Sequence, residues 1–234
     1  MNDIEALETV LGYSFTNKDY IIEALTHSSY SNEVRLKPNG SEVRCNERME
    51  FFGDSVLSLV VSQYLFTNFT DMPEGDLSRI RAGAVCEKAL GVYARSINLG
   101  EYLLLGHGEV TTNGKNRTSL LADAFEAVLA ALYLDGGYDV VSRFLLPFVT
   151  AEIEQIIDSG TMRDYKTLLQ QIIQQEHGEI LEYVITKESG PAHKRQFEVE
   201  ARLNSNVIGH GCGMSKRAAE QLAAKEALVL FGEK

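Results

Sequence analysis

The stretch that decides the fold is residues 120–134, LLADAFEAVLAALYL. Its apolar side chains surround a helix on nearly every side, which is typical of a helix buried in a protein core. The only charged side chains in it are Asp123 and Glu126, which lie three positions apart and therefore on one helix face. A buried carboxylate without a partner is costly or stays protonated. Because this stretch contains no Lys or Arg, the balancing positive charge has to come from elsewhere.

A second acidic helix is predicted from Asn46, a residue type that often caps helices, to about residue 66. Glu47, Glu50 and Asp54 follow the spacing i, i+3 and i+7, so they span an arc of about 60° on this helix. Most of the other positions are apolar, which predicts burial. Gly53, inside the helix, costs about 1 kcal/mol relative to Ala and indicates that another backbone approaches closely.

Three interpretations of these carboxylates remain open from spacing alone. They could pair with a basic side chain from another helix, such as Arg79, Arg81 or Arg117. They could form a short solvated stripe at an edge of the domain. They could also bind a divalent metal ion together, because carboxylate oxygens suit hard ions such as Mg²⁺ and Mn²⁺.

The rest of the first part of the chain also has helical patterns. Turn residues separate them at 71–76 (DMPEGD) and at 135–137 (Asp-Gly-Gly), and two stretches, 30–45 and 100–117, are predicted to be irregular. The predicted helices are residues 2–11, 18–29, 46–66, a segment ending near 97, 118–135 and 138–157. No strand pattern precedes residue 158, so this part is predicted to be all-helical.

The period of the pattern changes after the segment DSGTMRD (158–164), which has the composition of a linker. Residues 165–176 are helical in pattern, and three stretches then alternate apolar and polar residues as strands do: 181–188, 196–203 and 206–210. An Ala-rich helix over 215–231 follows, with Ser215 as its N-cap. The second part is therefore predicted to be an α-β-β-β-α unit.

Charge and composition narrow the classes of function. The net charge is −11, and all of it lies in residues 1–160, which carry 12 Lys and Arg against 23 Asp and Glu; residues 161–234 carry 10 of each. An acidic domain can still meet a polyanion if metal ions lie between them. The sequence has no apolar run of about 18 residues and no signal peptide, and its three scattered cysteines exclude a CxxC site. We therefore expect a soluble cytoplasmic protein without a membrane partner.

Several segments together resemble one family. NERMEFFGDSVL (46–57) resembles the signature of ribonuclease III, in which leucines commonly stand at the positions of Met49 and Phe52. PEGDLSRIRA (73–82) and LLADAFEAVLAALYLD (120–135) resemble its second and third motifs. The segments DYKTLLQQ (164–171), GPAHKRQFEVE (190–200) and GHGCGMSKRAAEQLAAKEAL (209–228) resemble a double-stranded-RNA-binding domain.

The resemblance implies an α+β chain. An all-α ribonuclease III endonuclease domain would cover residues 1–158, a linker 159–163, and an α-β-β-β-α double-stranded-RNA-binding domain 164–232. The implied activity is hydrolysis of double-stranded RNA with Mg²⁺, for which Mn²⁺ is expected to substitute. The products would carry 5′-phosphate and 3′-hydroxyl ends with a short 3′ overhang, and the implied targets are precursors of ribosomal RNA, structured mRNAs and tRNA transcripts.

The resemblance also assigns residues. The implied metal ligands are Glu50, Asp54, Asp123 and Glu126, of which Asp54 and Glu126 are the most demanding catalytically, and the family uses acids matching Glu47 and Glu74 around the scissile phosphate or its metals. Phe51 matches a residue that the family inserts into the second subunit of a homodimer. The side chains expected to contact RNA are Lys166, Thr167, Gln170, Gln174, His193, Lys216 and Arg217. A double-stranded-RNA-binding protein without catalysis is the alternative, and a missing acid would favour it; all four ligand positions are acidic.

Overall fold

The computed structural model describes residues 4–38, 40, 42–158, 165–174, 178–190 and 195–232. The chain divides into two compact units, Met1–Gly160 and Thr161–Lys234. The predicted linker, residues 159–163, lies outside the described residues, so its limits stay a prediction. Within the described parts of the chain, no helix is both long and apolar enough to cross a membrane.

The first unit is built from helices. Two short 3-10 turns, Leu99–Tyr102 and Gly114–Asn116, lie in its later loops. Its α-helices are α1 (Ile4–Leu11), α2 (Lys18–Leu25), α3 (Ser28–Arg35), α4 (Glu47–Asn68), α5 (Glu74–Ala84), α6 (Glu87–Ser96), α7 (His107–Thr111) and α8 (Thr118–Asp158).

Helix α8 is the core of this unit, as its apolar sequence predicts. Residues 127–132 are fully buried, and the helix packs against α2, α4, α5 and α6. It kinks at Gly137, whose φ of 76° is accessible to glycine at little cost, and this agrees with the break predicted at 135–137. The Asp135 carboxylate fixes the start of the chain to this kink by accepting hydrogen bonds from Tyr13 Oη and from the backbone amides of Thr16 and Asn17, at 2.7–2.9 Å.

Three stretches differ from the sequence prediction. The helix predicted over 18–29 ends at Leu25, and α3 then extends into the stretch 30–45 that was expected to be irregular; α3 buries no residue, so its sequence has no apolar period to reveal it. The segment after residue 76 is two helices rather than one, because the chain is extended at Cys86 between α5 and α6. The predicted loop over 100–117 contains α7, most of the first 3-10 turn and all of the second. Asn46 does precede α4, but its side chain makes no capping hydrogen bond.

The second unit has the predicted α-β-β-β-α order. Its strands form one antiparallel sheet in the order β1-β2-β3, and α10 packs against β2, β3 and α9. A Cβ at Gly211 would overlap the backbone carbonyl of Ala219, so the bare glycine lets α10 lie close to the sheet. The predicted N-cap is confirmed, because Ser215 Oγ accepts from the Ala218 amide at 3.1 Å. The elements are α9 (Tyr165–Gln174), β1 (Leu181–Ser189), β2 (Gln196–Leu203), β3 (Asn206–Gly213) and α10 (Lys216–Val229).

Candidate functional site

Helices α4 and α8 bring two pairs of acids together, and we call the four side chains Glu50, Asp54, Asp123 and Glu126 the carboxylate cluster. The two helices pack against each other at Gly53, where a Cβ would overlap the backbone carbonyl of Glu126. The close backbone approach predicted from Gly53 is therefore confirmed. The contact lies between the acids of α4 and next to an acid of α8, so it fixes how near the two pairs come.

The charges of the other three members of the cluster act electrostatically on Glu126. Burial and the charges of Asp54, Glu50 and Asp123 together raise the pKa of Glu126 to about 8. Like charges shift a pKa only when they are close, so the other three carboxylates all lie within electrostatic range of Glu126. At neutral pH and without a cation, Glu126 is therefore mostly protonated.

The neighbours of the cluster add further negative charge. Burial, followed by the charges of Asp123 and Glu47, raises the pKa of Glu50. Burial and the charge of Glu87 raise the pKa of Asp123, while His27 lowers it. Sequence reasoning missed His27 and Glu87, because only the fold brings the residue before α3 and the first residue of α6 near Asp123, and neither lies in an acidic spacing pattern.

Basic side chains do not neutralise the cluster. Within the part of the chain that the structure describes, none of the four carboxylates forms an ion pair with Lys or Arg. The three arginines considered as partners have other contacts: Arg79 with Asp76 at 3.5 Å, Arg81 with Ser62 Oγ at 2.8 Å and Arg117 with Glu109 at 2.7 Å. The ion-pair interpretation with these arginines is therefore wrong.

The cluster meets solvent at one side. Asp54 is exposed, whereas Glu50, Asp123 and Glu126 are half-buried, so it is not a fully solvated stripe. Among the described residues, no three His, Cys, Asp or Glu side chains stand close enough together to form a complete metal site. Direct binding of one ion by three of the carboxylates would therefore require their side chains to move. The donor set fits a hard cation, since it offers only carboxylate oxygens and none of them has a Lys or Arg partner among the described residues.

The other two acids predicted for the site, Glu47 and Glu74, differ in their relation to the cluster. Glu47 is exposed in the first turn of α4 and acts electrostatically on Glu50. Glu74 is exposed at the start of α5, where its carboxylate accepts a hydrogen bond from Ser78 Oγ at 2.7 Å. Its charge is not among those that shift the pKa of Glu50, Asp123 or Glu126. A single chain thus brings Glu47, but not Glu74, beside the cluster.

Phe51 projects from α4 with 79% of its surface exposed, which is unusual for a phenylalanine on a core helix. Phe66, on the same helix, is 77% exposed. A cleft between α4 and α5 is lined by Phe66, Leu59 and Leu77 together with the polar side chains of Glu74 and Arg81. The unit therefore presents both an apolar projection and a partly apolar cleft on the same pair of helices.

In the second unit, the predicted RNA contacts of α9 lie on its exposed side. Thr167, Gln170 and Gln174 are exposed at the spacing i, i+3 and i+7, so they share one face. Lys166 is half-buried; its ammonium lies 2.7 Å from Glu220 Oε2 and 4.6 Å from the centre of the Tyr183 ring. Lys166 is thus already paired within the unit.

The first turn of α10 carries Lys216 and Arg217, and both side chains are exposed. Lys216 Nζ lies 3.5 Å from Glu188 Oε1 and 5.6 Å from the centre of the Phe197 ring. Backbone amides at this end of a helix and the helix dipole add to the attraction for anions. His193, the remaining predicted contact, lies outside the described residues.

Comparison with protein families agrees with this division of the chain. Residues 17–153 match the model of a family described as ribonuclease-III-like, and residues 165–229 match the double-stranded RNA binding motif. Two relatives named "Ribonuclease 3" are similar over nearly the whole chain. The one from Bacillus cytotoxicus is 48% identical over 95% of this chain and 89% of its own, and the one from Clostridium perfringens is 43% identical over 100% and 97%.

Among solved structures, the nuclease domain of ribonuclease III from Campylobacter jejuni superposes on this chain. The TM-score is 0.57 and the identity 39%, and the match covers 64% of this chain and 98% of that one. In the Campylobacter jejuni protein, structural flexibility is described in a region involved in dimer formation of the nuclease domain.

Proposed function

The chain belongs to the ribonuclease III family of endoribonucleases that cleave double-stranded RNA, and on that premise we propose that the carboxylate cluster binds its divalent metal ions. The observation on which this rests is that three carboxylates act on Glu126 across the contact of α4 and α8 without a basic partner in the described residues, so that burial and their charges raise the pKa of Glu126 to about 8. The family depends on divalent metals, and we propose Mg²⁺ as the ion used and Mn²⁺ as a substitute.

In this mechanism the side chains of the protein bind the metal ions and orient the scissile phosphate. Asp54, exposed on α4, and Glu126, half-buried on α8, would hold the ions, with Glu50 and Asp123 completing the set. Glu47 would lie next to the scissile phosphate. When bound, divalent ions activate water as the nucleophile and stabilise charge on the leaving 3′ oxygen. Hydrolysis then leaves a 5′-phosphate and a 3′-hydroxyl, and cuts offset on the two strands leave a short 3′ overhang.

Removal of metal tests the proposal most directly. After dialysis against EDTA we expect no cleavage of a hairpin RNA, and we expect added Mg²⁺ or Mn²⁺ to restore it. Retained binding without cleavage at any metal concentration would favour a protein that only binds double-stranded RNA. Cleavage that survives complete metal removal would contradict the proposed role of the cluster.

The raised pKa of Glu126 predicts that metal binding releases a proton. Glu126 is mostly protonated below pH 8 and must lose its proton to coordinate a cation, so the affinity for Mg²⁺ should increase as the pH rises from about 6 to 8. Calorimetric titration of the protein with Mg²⁺ in buffers of different ionisation enthalpy measures the proton release. A Glu126→Gln variant should release fewer protons, and equal heats in all buffers for the unmodified protein would contradict the prediction.

We propose that the protein acts as a homodimer, because one active centre per subunit allows both strands to be cut. The exposed Phe51 is expected to enter an apolar cleft of the second subunit, and the cleft beside Phe66 and Leu77 has suitable walls. Together these two features are the support for a symmetric interface formed by α4 and α5.

Substitution at Phe51 tests the dimer. We expect Phe51→Glu to convert the dimer to a monomer at micromolar concentration, because a carboxylate would be buried in an apolar cleft. Light scattering after size-exclusion chromatography measures the mass. Val110→Glu is the matched control, since Val110 is also exposed (61%) but lies on α7; a Phe51→Glu protein that still elutes as a dimer would contradict this interface.

We propose that the second unit recognises double-stranded RNA by its shape. Such domains contact the minor groove and the flanking phosphates, since the deep major groove of A-form RNA is closed to side chains. Thr167, Gln170 and Gln174 would meet 2′-hydroxyl groups, with Lys166 beside them. Lys216 and Arg217 would bind phosphates, and His193 would enter a second stretch of minor groove.

Replacement of Lys216 and Arg217 by Ala should weaken binding and flatten its dependence on salt. Each lost phosphate contact lowers the slope of log K against log[salt] by roughly one unit, so we expect a change of one to two units. Fluorescence anisotropy with a labelled RNA duplex at several salt concentrations measures both. Lys225→Ala is the control, because Lys225 lies on the face of α10 opposite Lys216 and contacts the Tyr165 ring; an unchanged slope in the double variant would exclude the contact.

We also propose a cytoplasmic location and the processing of ribosomal RNA precursors, structured mRNAs and tRNA transcripts, on the basis of family membership. Sequencing of RNA 5′ ends in cells that lack the protein tests the targets. Uncut double-stranded precursors should accumulate, and the missing ends should lie in pairs offset across a duplex. Unchanged precursor levels would argue against these targets.

A further inference from the structure

Basic residues are concentrated in one short segment of the acidic first unit. Of the 12 Lys and Arg among residues 1–160, four lie within residues 35–48. Three of them, Arg35, Arg44 and Arg48, line a single surface pocket, which we call the arginine pocket, together with the acids Glu23, Glu42 and Glu47. In a unit with a net charge of −11, a place where arginines equal acids in number repels RNA less than the rest of the surface does.

The arginine pocket is formed by the end of α3, the start of α4 and the segment between them. Arg35 ends α3, Arg44 lies in the segment before α4, and Arg48 lies in the first turn of α4. The segment is fixed on both sides: Ser31 Oγ donates to the Val43 carbonyl, and the Asn46 amide donates to the Thr26 carbonyl at 2.8 Å. The positions of these arginines therefore depend on the fold rather than on a free loop.

The guanidinium groups of this pocket form only weak ion pairs and hydrogen bonds with other described residues. Arg44 lies 3.9 Å from Glu23 with 78% of its side chain exposed, and Arg35 donates only to the neutral Asn32 side chain at 3.2 Å. Arg48 forms no hydrogen bond or ion pair with any described residue. By contrast, Arg117 lies 2.7 Å from a carboxylate oxygen of Glu109. The pocket can thus accept an added anion without breaking a strong ion pair.

The pocket borders the carboxylate cluster. Glu47 lines it between Cys45 and Arg48, and the charge of Glu47 also contributes to the raised pKa of Glu50. Glu47 is therefore shared between the arginine pocket and the surroundings of the proposed metal site. An RNA strand whose scissile phosphate lies at the cluster would bring a neighbouring phosphate over the arginines.

We propose that the arginine pocket binds a backbone phosphate of the RNA strand that is being cut, adjacent to the scissile phosphate. This inference rests on the proposed function, because it takes the cluster as the place of cleavage. Arginine suits the site, since its planar fork donates two hydrogen bonds to one phosphate and keeps its charge at every relevant pH. The acids in the pocket wall would repel free anions. A phosphate of an RNA strand that is also bound at the carboxylate cluster would be held there in spite of this repulsion.

The test combines a protein variant with substrates that lack one phosphate charge. Single-turnover cleavage by the full-length protein is measured with saturating Mg²⁺ on a hairpin RNA, and on a series in which one phosphate near the cut is a neutral methylphosphonate. The variant is R44Q/R48Q. Its control is Arg143→Gln, an exposed arginine of α8 that lines a different cleft with Val10 and Phe144.

We expect R44Q/R48Q to raise the RNA concentration for half-maximal rate by about tenfold and to lower the salt slope by one to two units. The cleavage rate of R44Q/R48Q at saturating RNA should stay within about threefold of the rate of the unmodified protein. A methylphosphonate at one position next to the cut should weaken RNA binding by the unmodified protein and by R143Q to a similar extent. The same methylphosphonate should not weaken RNA binding by R44Q/R48Q any further.

Three outcomes would overturn the inference. The first is additive effects of the variant and the methylphosphonate at every position. The second is a variant whose saturating rate falls while its salt slope is unchanged. The third is loss of inhibition by a nucleoside 5′-monophosphate with RNA binding unaffected, which would make this a site for the product's terminal phosphate. If the unmodified protein does not cleave at all, the proposed function fails instead, and the salt slope of RNA binding still reports on the arginines.

Discussion

A Glu126→Gln variant is expected to lose cleavage by at least a thousandfold while it still binds double-stranded RNA, a loss on the order of 4 kcal/mol or more in the barrier. Gln has nearly the same shape as Glu but cannot give a negative oxygen to a cation. Glu126 is the member of the cluster on which all three of the others act, so its carboxylate lies where an ion shared by the cluster would bind. Binding should survive because the proposed RNA contacts of the second unit are untouched.

The same variant should not be less stable, which separates a lost function from a lost fold. The folded-state pKa of Glu126, about 8, lies above the ordinary value of 4.5, so ionisation opposes folding increasingly as the pH rises from 4.5 to 8. Gln removes that opposition. We therefore expect the metal-free variant to melt at an equal or higher temperature than the unmodified protein at pH 8.

Single-turnover cleavage of a hairpin RNA, fluorescence anisotropy and thermal unfolding are the measurements needed for this variant. Glu154→Gln is a suitable control, since Glu154 is an exposed acid further along the same helix. Near-normal turnover by Glu126→Gln would show that the cluster is not the catalytic centre. A large fall in melting temperature would instead indicate that Glu126 has a structural role that the geometry does not reveal.

The helices that could be predicted are those in which the local pattern of apolar residues indicates which positions are buried. Helix α8 has an apolar surface on nearly every side and Asp-Gly-Gly at its kink, and both features are local. Helix α3 buries nothing, so no periodic signal exists for it. The division between α5 and α6 was missed because it occurs at Val85 and Cys86, where neither proline nor glycine marks the break.

The candidate site shows the same limit. Two carboxylates in an apolar stretch signal an unusual environment, because their burial needs a compensating charge. The sequence left open whether that charge is an arginine, and the structure answers this through contacts such as Arg117 with Glu109 that no local pattern specifies. The proximity of His27 and Glu87 to Asp123, and of Arg48 to the border of the cluster, likewise arises from long-range packing.

Gly53→Ala is expected to be the most damaging substitution that leaves every charge in place. The new methyl group would overlap the Glu126 carbonyl, so α4 and α8 must separate. Overpacking of this kind costs about 1–3 kcal/mol, while the higher helix propensity of Ala returns about 1 kcal/mol, so we expect a net loss of stability of up to about 2 kcal/mol. The separation also moves Glu50 and Asp54 away from Glu126. Because a displacement near 1 Å can reduce a rate by roughly a hundredfold, cleavage should fall by about that factor.

A matched glycine separates the two consequences of this substitution. Gly75 lies in α5, and a Cβ there would meet no atom within 4 Å. Gly75→Ala should therefore keep full activity and unfold at the same or a slightly higher temperature. Urea unfolding and the Mg²⁺ concentration for half-maximal cleavage are the quantities to compare, and Gly53→Ala should need several times more Mg²⁺ even where it is fully folded. If Gly53→Ala matched Gly75→Ala in both, the distance between the two helices would not control the metal site, and the four carboxylates would have to reach a shared ion by side-chain rotation alone.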